Sequence, residues 1–400
     1  MASQRRLLLV ENSTGVGGST ISLFRLVSRL RNGPYRPLVL FYTENDYVSR
    51  FKELGIEVTL LRGQRQAVAS SSSSACLARP RPDGVTAWAR SWRRLLWKDI
   101  PEAFQIRHLI RKRGIGLVHV NGRFSSSRGA ILAARLARVP CLCHLRDFHS
   151  FDRVDRWFAR GVDVFLYISK AVQLHTERLL PRAKGQLVYD GVDLADFQRG
   201  IDPSNEREGW GLSKDHVVVG NMGRLVEWKG QHVFLEALSY VAGDIPRLRA
   251  LVAGDSDPPG KSPYVEGLRG IVRDLGLEGR VIFTGFVTDV PRFMAALDVF
   301  VHSSIRPEPF GLTILEGMAS GLPVVATAAG GPLDLLQEGE TGRLVPLGDP
   351  HAMAEALRQI LSDREKAARM GEAARNRVAQ CFTIEKFVED MERAYSTVLP

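Results

Sequence analysis

The 400-residue sequence predicts an α/β protein built from two doubly wound parallel sheets. Three observations point there. Short apolar runs alternate with helical patterns along the chain, the alternation runs through twice, and a stretch rich in Asp, Gly and Pro at 190–213 separates the two passes. A chain of this length is also too long for one compact core. In the first pass the expected strands are Leu7–Val10, Leu38–Tyr42, Val58–Leu61, Leu117–Val120, Cys141–Leu145 and Val164–Ile168. Helical patterns such as Ser19–Leu30 and Ser127–Ala137 lie between them. In the second pass the expected strands are Val217–Met222, Leu248–Ala253, Val281–Phe283, Val299–His302 and Val324–Thr327. Ile384–Val398 reads as a closing helix. The expected domains are therefore 1–195 and 196–380, with 381–400 as a terminal helix and 190–213 as the linker.

Composition places the chain among ordinary globular proteins, with 44% hydrophobic and 24% charged residues. Cys76, Cys141, Cys143 and Cys381 have no zinc spacing, which suits a reduced, cytoplasmic protein. The apolar run of Leu7–Val10 stops at Glu11, too soon for a signal sequence, and no stretch reaches the ~20 apolar residues that span a bilayer. The net charge of +10 is concentrated: residues 62–113 hold twelve Lys or Arg against three Asp or Glu. Within this basic insert, Trp88, Trp92, Leu95 and Leu96 share one helical face beside Arg90, Arg93, Arg94 and Lys98. That is either an interfacial helix at an anionic membrane surface or a helix packed on its domain with a solvated basic side. No nucleic-acid fold pattern accompanies these residues, so nucleic acid is not an expected partner.

The chemistry concentrates in the second pass. Glu308 and Glu316 stand eight residues apart, the first in a proline-bounded loop and the second on the helix that follows. A carboxylate just ahead of a helix start sits beside unpaired backbone N–H groups, either a setting for a ligand with both hydroxyls and phosphates or a loop acid and a first-turn acid that only stabilise the helix dipole. Upstream, Arg224 and Lys229 follow the end of an expected strand between Gly223 and Gly230. Two fixed cations at such an edge suit a diphosphate, the alternative being two solvated surface charges.

The string Glu308-Pro-Phe-Gly-Leu-Thr-Ile-Leu-Glu316 and its continuation to Thr327 resemble the E-x7-E segment of retaining, group one (family 4 type) glycosyltransferases. Gly223-Arg-Leu-Val-Glu-Trp-Lys-Gly230 resembles their phosphate-binding segment. Tyr167-Ile-Ser-Lys170 and Val281-Ile-Phe-Thr-Gly-Phe286 match further segments. Tyr189-Asp-Gly-Val-Asp193 resembles their N-G-V-D turn, with Asp190 in place of Asn. The resemblance covers most of residues 115–345 and implies the GT-B fold, two Rossmann-like domains facing a central cleft, with the last helix crossing back to the first domain. It implies transfer of a sugar from a nucleotide-sugar donor, with retention, to a glycan or lipid-linked glycan, as in polysaccharide biosynthesis.

By the same resemblance Glu316 would accept from ribose hydroxyls and Glu308 from donor-sugar hydroxyls. The amides of Phe310, Gly311 and Leu312 would line the sugar and phosphate. Gly17 and Gly18, from the Thr14–Ser19 loop, would lie against the donor. His144, at the end of the strand Cys141–Leu145, resembles the interdomain histidine near the transferred sugar. His119 and Asn121 end the preceding strand and are weaker candidates. The expected catalytic set is His144, Arg224, Lys229 and Glu308, with no metal and no cofactor. The expected location is cytoplasmic, with the inner face of a membrane as a peripheral site. Gly330-Gly331 either admits a nucleotide closely or turns the chain. A nucleotide-sugar epimerase of the same architecture, or a non-catalytic membrane-binding protein, is the rival function.

Overall fold

The computed structural model describes residues 5–13, 17–61, 90–183, 185–256 and 262–399. Thr14, the serine run Ser70–Ser74, Cys76 and Trp88 lie outside the described residues. The chain divides into two units, 1–191 with 384–400, and 192–383. These divisions fall four residues before the expected 195/196 boundary and three residues after the expected start of the terminal segment at 381.

The first unit holds seven parallel strands: β1 (Arg5–Glu11), β2 (Tyr35–Phe41), β3 (Glu57–Leu60), β4 (Leu117–Asn121), β5 (Cys141–Leu145), β6 (Val164–Tyr167) and β7 (Gly185–Leu187). Their order is β3-β2-β1-β4-β5-β6-β7. Leu7, Leu8, Leu9 and Val10 are all fully buried, because helices cover both faces of a parallel sheet and the strand has no wet side. The helix Gly18–Leu30 buries Leu23, Leu26, Val27 and Leu30, an apolar stripe at helical spacing. The terminal helix Ile384–Ser396 lays Phe387, Met391 and Tyr395 into the same core, with the Tyr395 ring edge-on to Tyr35.

The second unit holds six parallel strands: β8 (Val217–Met222), β9 (Leu248–Ala253), β10 (Val281–Gly285), β11 (Val299–His302), β12 (Val324–Thr327) and β13 (Arg343–Val345). Their order is β10-β9-β8-β11-β12-β13. The order therefore reverses between β1 and β4 in one unit and between β8 and β11 in the other. Ligands of open α/β sheets bind beyond the strand ends at such reversals.

Two features differ from expectation. Residues 190–213 are not a loose linker: Asp190 is buried, and a helix Pro203–Gly209 starts on an Asp202 cap. Arg207 fixes that helix by donating to the Ala296 carbonyl and pairing with Asp298. The basic helix also presents a different face. Leu95–Asp99 widen into a π-turn ahead of Pro101, which has no N–H to offer the Trp97 carbonyl. The shift sends Leu95 into the core and leaves Trp92, Leu96, Trp97 and Phe104 exposed, at 42%, 55%, 81% and 56%. Among the described residues no helix is long and apolar enough to cross a membrane.

Candidate functional site

In the second unit the site is built where β8 and β11 end. After Met222 the chain turns through Arg224 to a 3-10 turn, Glu227–Lys229, that closes on Gly230 with φ 66°. A Cβ on Gly230 would stand 2.0 Å from the Ser303 carbonyl oxygen, so glycine alone lets this turn press against the end of β11. Ser303 Oγ donates to the Lys229 carbonyl at 2.9 Å, and the Ile305 N–H donates to the Trp228 carbonyl at 2.9 Å. The result delivers Lys229 Nζ to within 2.6 Å of Glu308 Oε2.

Two more donors meet the same oxygen. His302 Nε2 lies 3.1 Å from Glu308 Oε2, and Ser304 Oγ donates to it at 3.1 Å. Burial alone would raise the Glu308 carboxyl, but the Lys229 ammonium and the His302 hydrogen bond hold it well below the usual range. Burial also lowers His302, outweighing the pull of Glu308, so its ring is neutral. A neutral ring donating from Nε2 leaves Nδ1 as acceptor, and Thr327 Oγ1 stands 3.4 Å from it. The cluster thus fixes an ionised carboxylate by one oxygen, and Oε1 takes part in none of these bonds.

The loop carrying Glu308 is pinned to its own unit. The Glu308 N–H donates to the Ala329 carbonyl, and the Gly331 N–H donates to the Glu308 carbonyl at 2.7 Å. A Cβ on Gly330, where φ is 84°, would sit 2.1 Å from the Glu308 carbonyl oxygen. The Gly330-Gly331 pair therefore serves close approach of the chain to itself. Phe310 is buried, and Gly311 caps the helix Leu312–Ala319, whose first N–H groups have no intrahelical partner. Glu316 lies on that helix with 3% exposure. Arg224 stays apart from the cluster: its side chain is exposed and bonds to none of the described residues.

The first unit gathers a second polar cluster at the strand ends. Glu11, at the end of β1, accepts from Asn121 Nδ2 at 2.6 Å and from the Ser13 N–H at 3.0 Å. Burial pushes its carboxyl up. His144 has no exposed surface; its Nδ1 faces Arg146 Nη1 at 3.4 Å, and its ring stacks on His119. Burial, with Arg146 beside it, holds it well below the usual histidine range, so it is neutral. Arg146 pairs with Asp190, which also accepts from Ser22. Asp190 thus supplies a countercharge to Arg146 that an Asn at that turn lacks. Gly17 caps the helix that Gly18 begins; Gly17 is half-buried and Gly18 is exposed.

Sequence reasoning passed over His302 and Glu11. Both end parallel strands that the apolar pattern does reveal, the same signal that singled out His144.

Residues 202–377 match the family described as Glycosyl transferases group 1, and residues 45–196 match Glycosyltransferase Family 4. The chain is 32% identical over 310 residues to the lipopolysaccharide core biosynthesis mannosyltransferase LpcC of Rhizobium leguminosarum bv. viciae, covering 77% of this chain and 83% of that one. It is 37% identical over 175 residues to the lipopolysaccharide core biosynthesis glycosyltransferase LpsE of Rhizobium meliloti, where the match covers 44% of this chain and 48% of that relative's length. With the mannosyltransferase LpsB of the same organism, at 32% identity over 215 residues, it covers 53% and 61%. The chain thus spans roughly half the length of these last two relatives. Anabaena HepE, crystallised with UDP and glucose, superposes with a TM-score of 0.81 at 26% identity, over 98% of this chain and all of that one.

Proposed function

This chain belongs to the group 1 glycosyltransferases of the GT-B fold, and from that membership we propose that it moves a sugar from a nucleotide-sugar donor to a glycan or lipid-linked glycan, with retention at the anomeric carbon. The carrying observation is the Lys229–Glu308–His302 cluster, a carboxylate held ionised beside a lysine at the strand ends. Lys229 spends one of its three N–H donors on Glu308 and offers the others to the donor diphosphate. Arg224, exposed and unengaged among the described residues, adds a second cation. The Phe310, Gly311 and Leu312 amides take phosphate and sugar oxygens, and Glu308 Oε1 accepts from a sugar hydroxyl. Glu316 accepts from the ribose. Gly17, Gly18 and His144 are assigned to the first unit's share of donor and sugar contact, with His144 acting as a neutral ring.

In the reaction, the bond from the anomeric carbon to the phosphate oxygen breaks and the acceptor oxygen bonds to that carbon on the same face. The acceptor proton passes to the leaving phosphate oxygen. Charge grows on the diphosphate, where Arg224 and Lys229 stabilise it. These cations take the role a divalent ion has elsewhere, so chelation should leave the rate unchanged.

The lipopolysaccharide-related names among the relatives, and the exposed Trp92, Leu96, Trp97 and Phe104 beside Arg90 and Arg93, favour an acceptor presented at an anionic membrane surface. A donor panel led by UDP-sugars, assayed by release of nucleoside diphosphate with extracted lipid-linked glycan as acceptor, tests the reading. Release from one donor that depends on acceptor is expected. Conversion of donor alone, with no release, would replace the transferase by an epimerase.

A further inference from the structure

We infer that the first unit carries a second anion site, for a phosphate-bearing ligand, at the opposite edge of its sheet from Glu11, Asn121 and His144. A groove of about 530 Å³ opens there, at the starts of the strands. That volume is within the range of small-molecule sites, roughly 300–1,000 Å³. Four arginines line it from four different places: Arg6 on β1, Arg31 after the helix Gly18–Leu30, Arg36 on β2, and Arg113 at the end of the helix Ile100–Arg113. Among the described residues, Glu57 is the one acidic residue on its wall.

Some of this charge has a structural use. Helix C-termini gather at this edge and carry partial negative charge. Arg31 donates to the Leu54 carbonyl, and Arg6 Nη1 donates to the Arg113 carbonyl at 2.8 Å. Glu57 already pairs with Arg113 Nη2. The remainder is not used in this way. The Arg36 side chain makes no hydrogen bond or ion pair with the described residues. Arg113 Nε is buried without a partner among the described residues. Each guanidinium carries five N–H donors, so the groove holds many more donors than the carbonyls around it consume. Four like charges converging on one groove repel one another, and an anion with several acceptor oxygens relieves that repulsion. Phosphate groups fit this donor geometry, whether free or on a lipid headgroup.

The test uses the full chain with Arg224→Ala and Lys229→Ala in place, so that the proposed donor site does not contribute. Inorganic pyrophosphate is titrated by calorimetry. Binding should weaken about tenfold in Arg36→Gln, for one lost charge-assisted contact, and be partly restored in Arg36→Lys. Arg36 is exposed, and unchanged circular dichroism would establish folding. A parallel arm sediments the same proteins with phosphatidylglycerol vesicles. Loss of pelleting in Arg36→Gln without pyrophosphate binding assigns the groove to a lipid headgroup. If Arg36→Gln matches its parent in both arms, or the parent binds neither probe, the site does not exist.

Discussion

Glu308 and Glu316 are both buried, and the charge of Glu308 is fixed by a lysine, a histidine and a serine. Glu308→Gln should leave free nucleoside diphosphate binding intact while weakening the nucleotide sugar and slowing turnover. Glu316→Gln should weaken the free nucleotide itself. Calorimetry with both ligands separates the two; equal losses in both variants would show that no division of labour exists. His302 bonds to Glu308, which is proposed to hold the donor sugar, so it is assigned as a positioning residue. His302→Ala should lower kcat about tenfold or more while moving nucleotide affinity little, and His302→Gln, which can still donate to Glu308, should recover part of the rate. An unchanged kcat in His302→Ala would remove it from the mechanism.

At the scale of the element, the π-turn decides what the basic helix can do. Four large apolar side chains stand out from a helix that also exposes Arg90 and Arg93, while Arg94 and Lys98 turn toward Asp99 and Glu102. Docking on a membrane should therefore depend on Trp97 and Leu96 more than on Arg94. Changing both to Ser should reduce co-sedimentation with anionic vesicles, and added salt should lower it further, since the Debye length shrinks from ~10 Å at 0.1 M to ~3 Å at 1 M. Donor turnover in solution should persist. Wild-type pelleting by the double variant would leave the ridge without a membrane role. The strand elements were nearly all legible: Cys141–Leu145, Val217–Met222, Leu248–Ala253, Val299–His302 and Val324–Thr327 have the expected bounds, because buried parallel strands read as continuous apolar runs. β7 and β13 were missed, being three residues long, half-buried and at the ends of their sheets.

At the scale of the whole molecule, the chain returns to its first unit at Ile384, and that return is structural. Phe387 is 2% exposed, so Phe387→Ala should cost about 3–5 kcal/mol, read from urea denaturation. Nucleotide affinity, assigned to the second unit, should survive at low denaturant. Acid should act on both units. Burial lowers His119, His144, His149 and His302, with His119 and His149 down to about 3. Their folded values lie below the unfolded one near 6.5, so the unfolded chain binds more protons as pH falls. The stability they contribute is full above about 6.5 and is lost below it, by up to about 1.4 kcal/mol per pH unit for each histidine. Glu11, raised by burial, opposes this nearer the carboxylate range. The urea midpoint should fall between pH 7.5 and 5.5; a flat profile would contradict neutral buried histidines.

By itself the sequence determined the class of fold and singled out the residues proposed for the second unit's site. Apolar period, strand–helix alternation and the spacing of Arg224, Lys229, Glu308 and Glu316 are local properties, and local properties are written in consecutive residues. Tertiary structure alone decided how these groups meet. Lys229 and Glu308 are 79 positions apart, and the press of Gly230 against Ser303, with the Glu308 loop pinned by Ala329 and Gly331, brings them together as an ion pair. His302, Ser304 and Thr327 join them because parallel strands end at one edge, and Arg224, five residues from Lys229, does not. The Arg146–Asp190 pair and the arginine groove are likewise invisible in sequence, since their members come from separate elements that the sheet order brings together. Side-chain chemistry can be read one residue at a time, whereas charge balance depends on which neighbours the fold supplies.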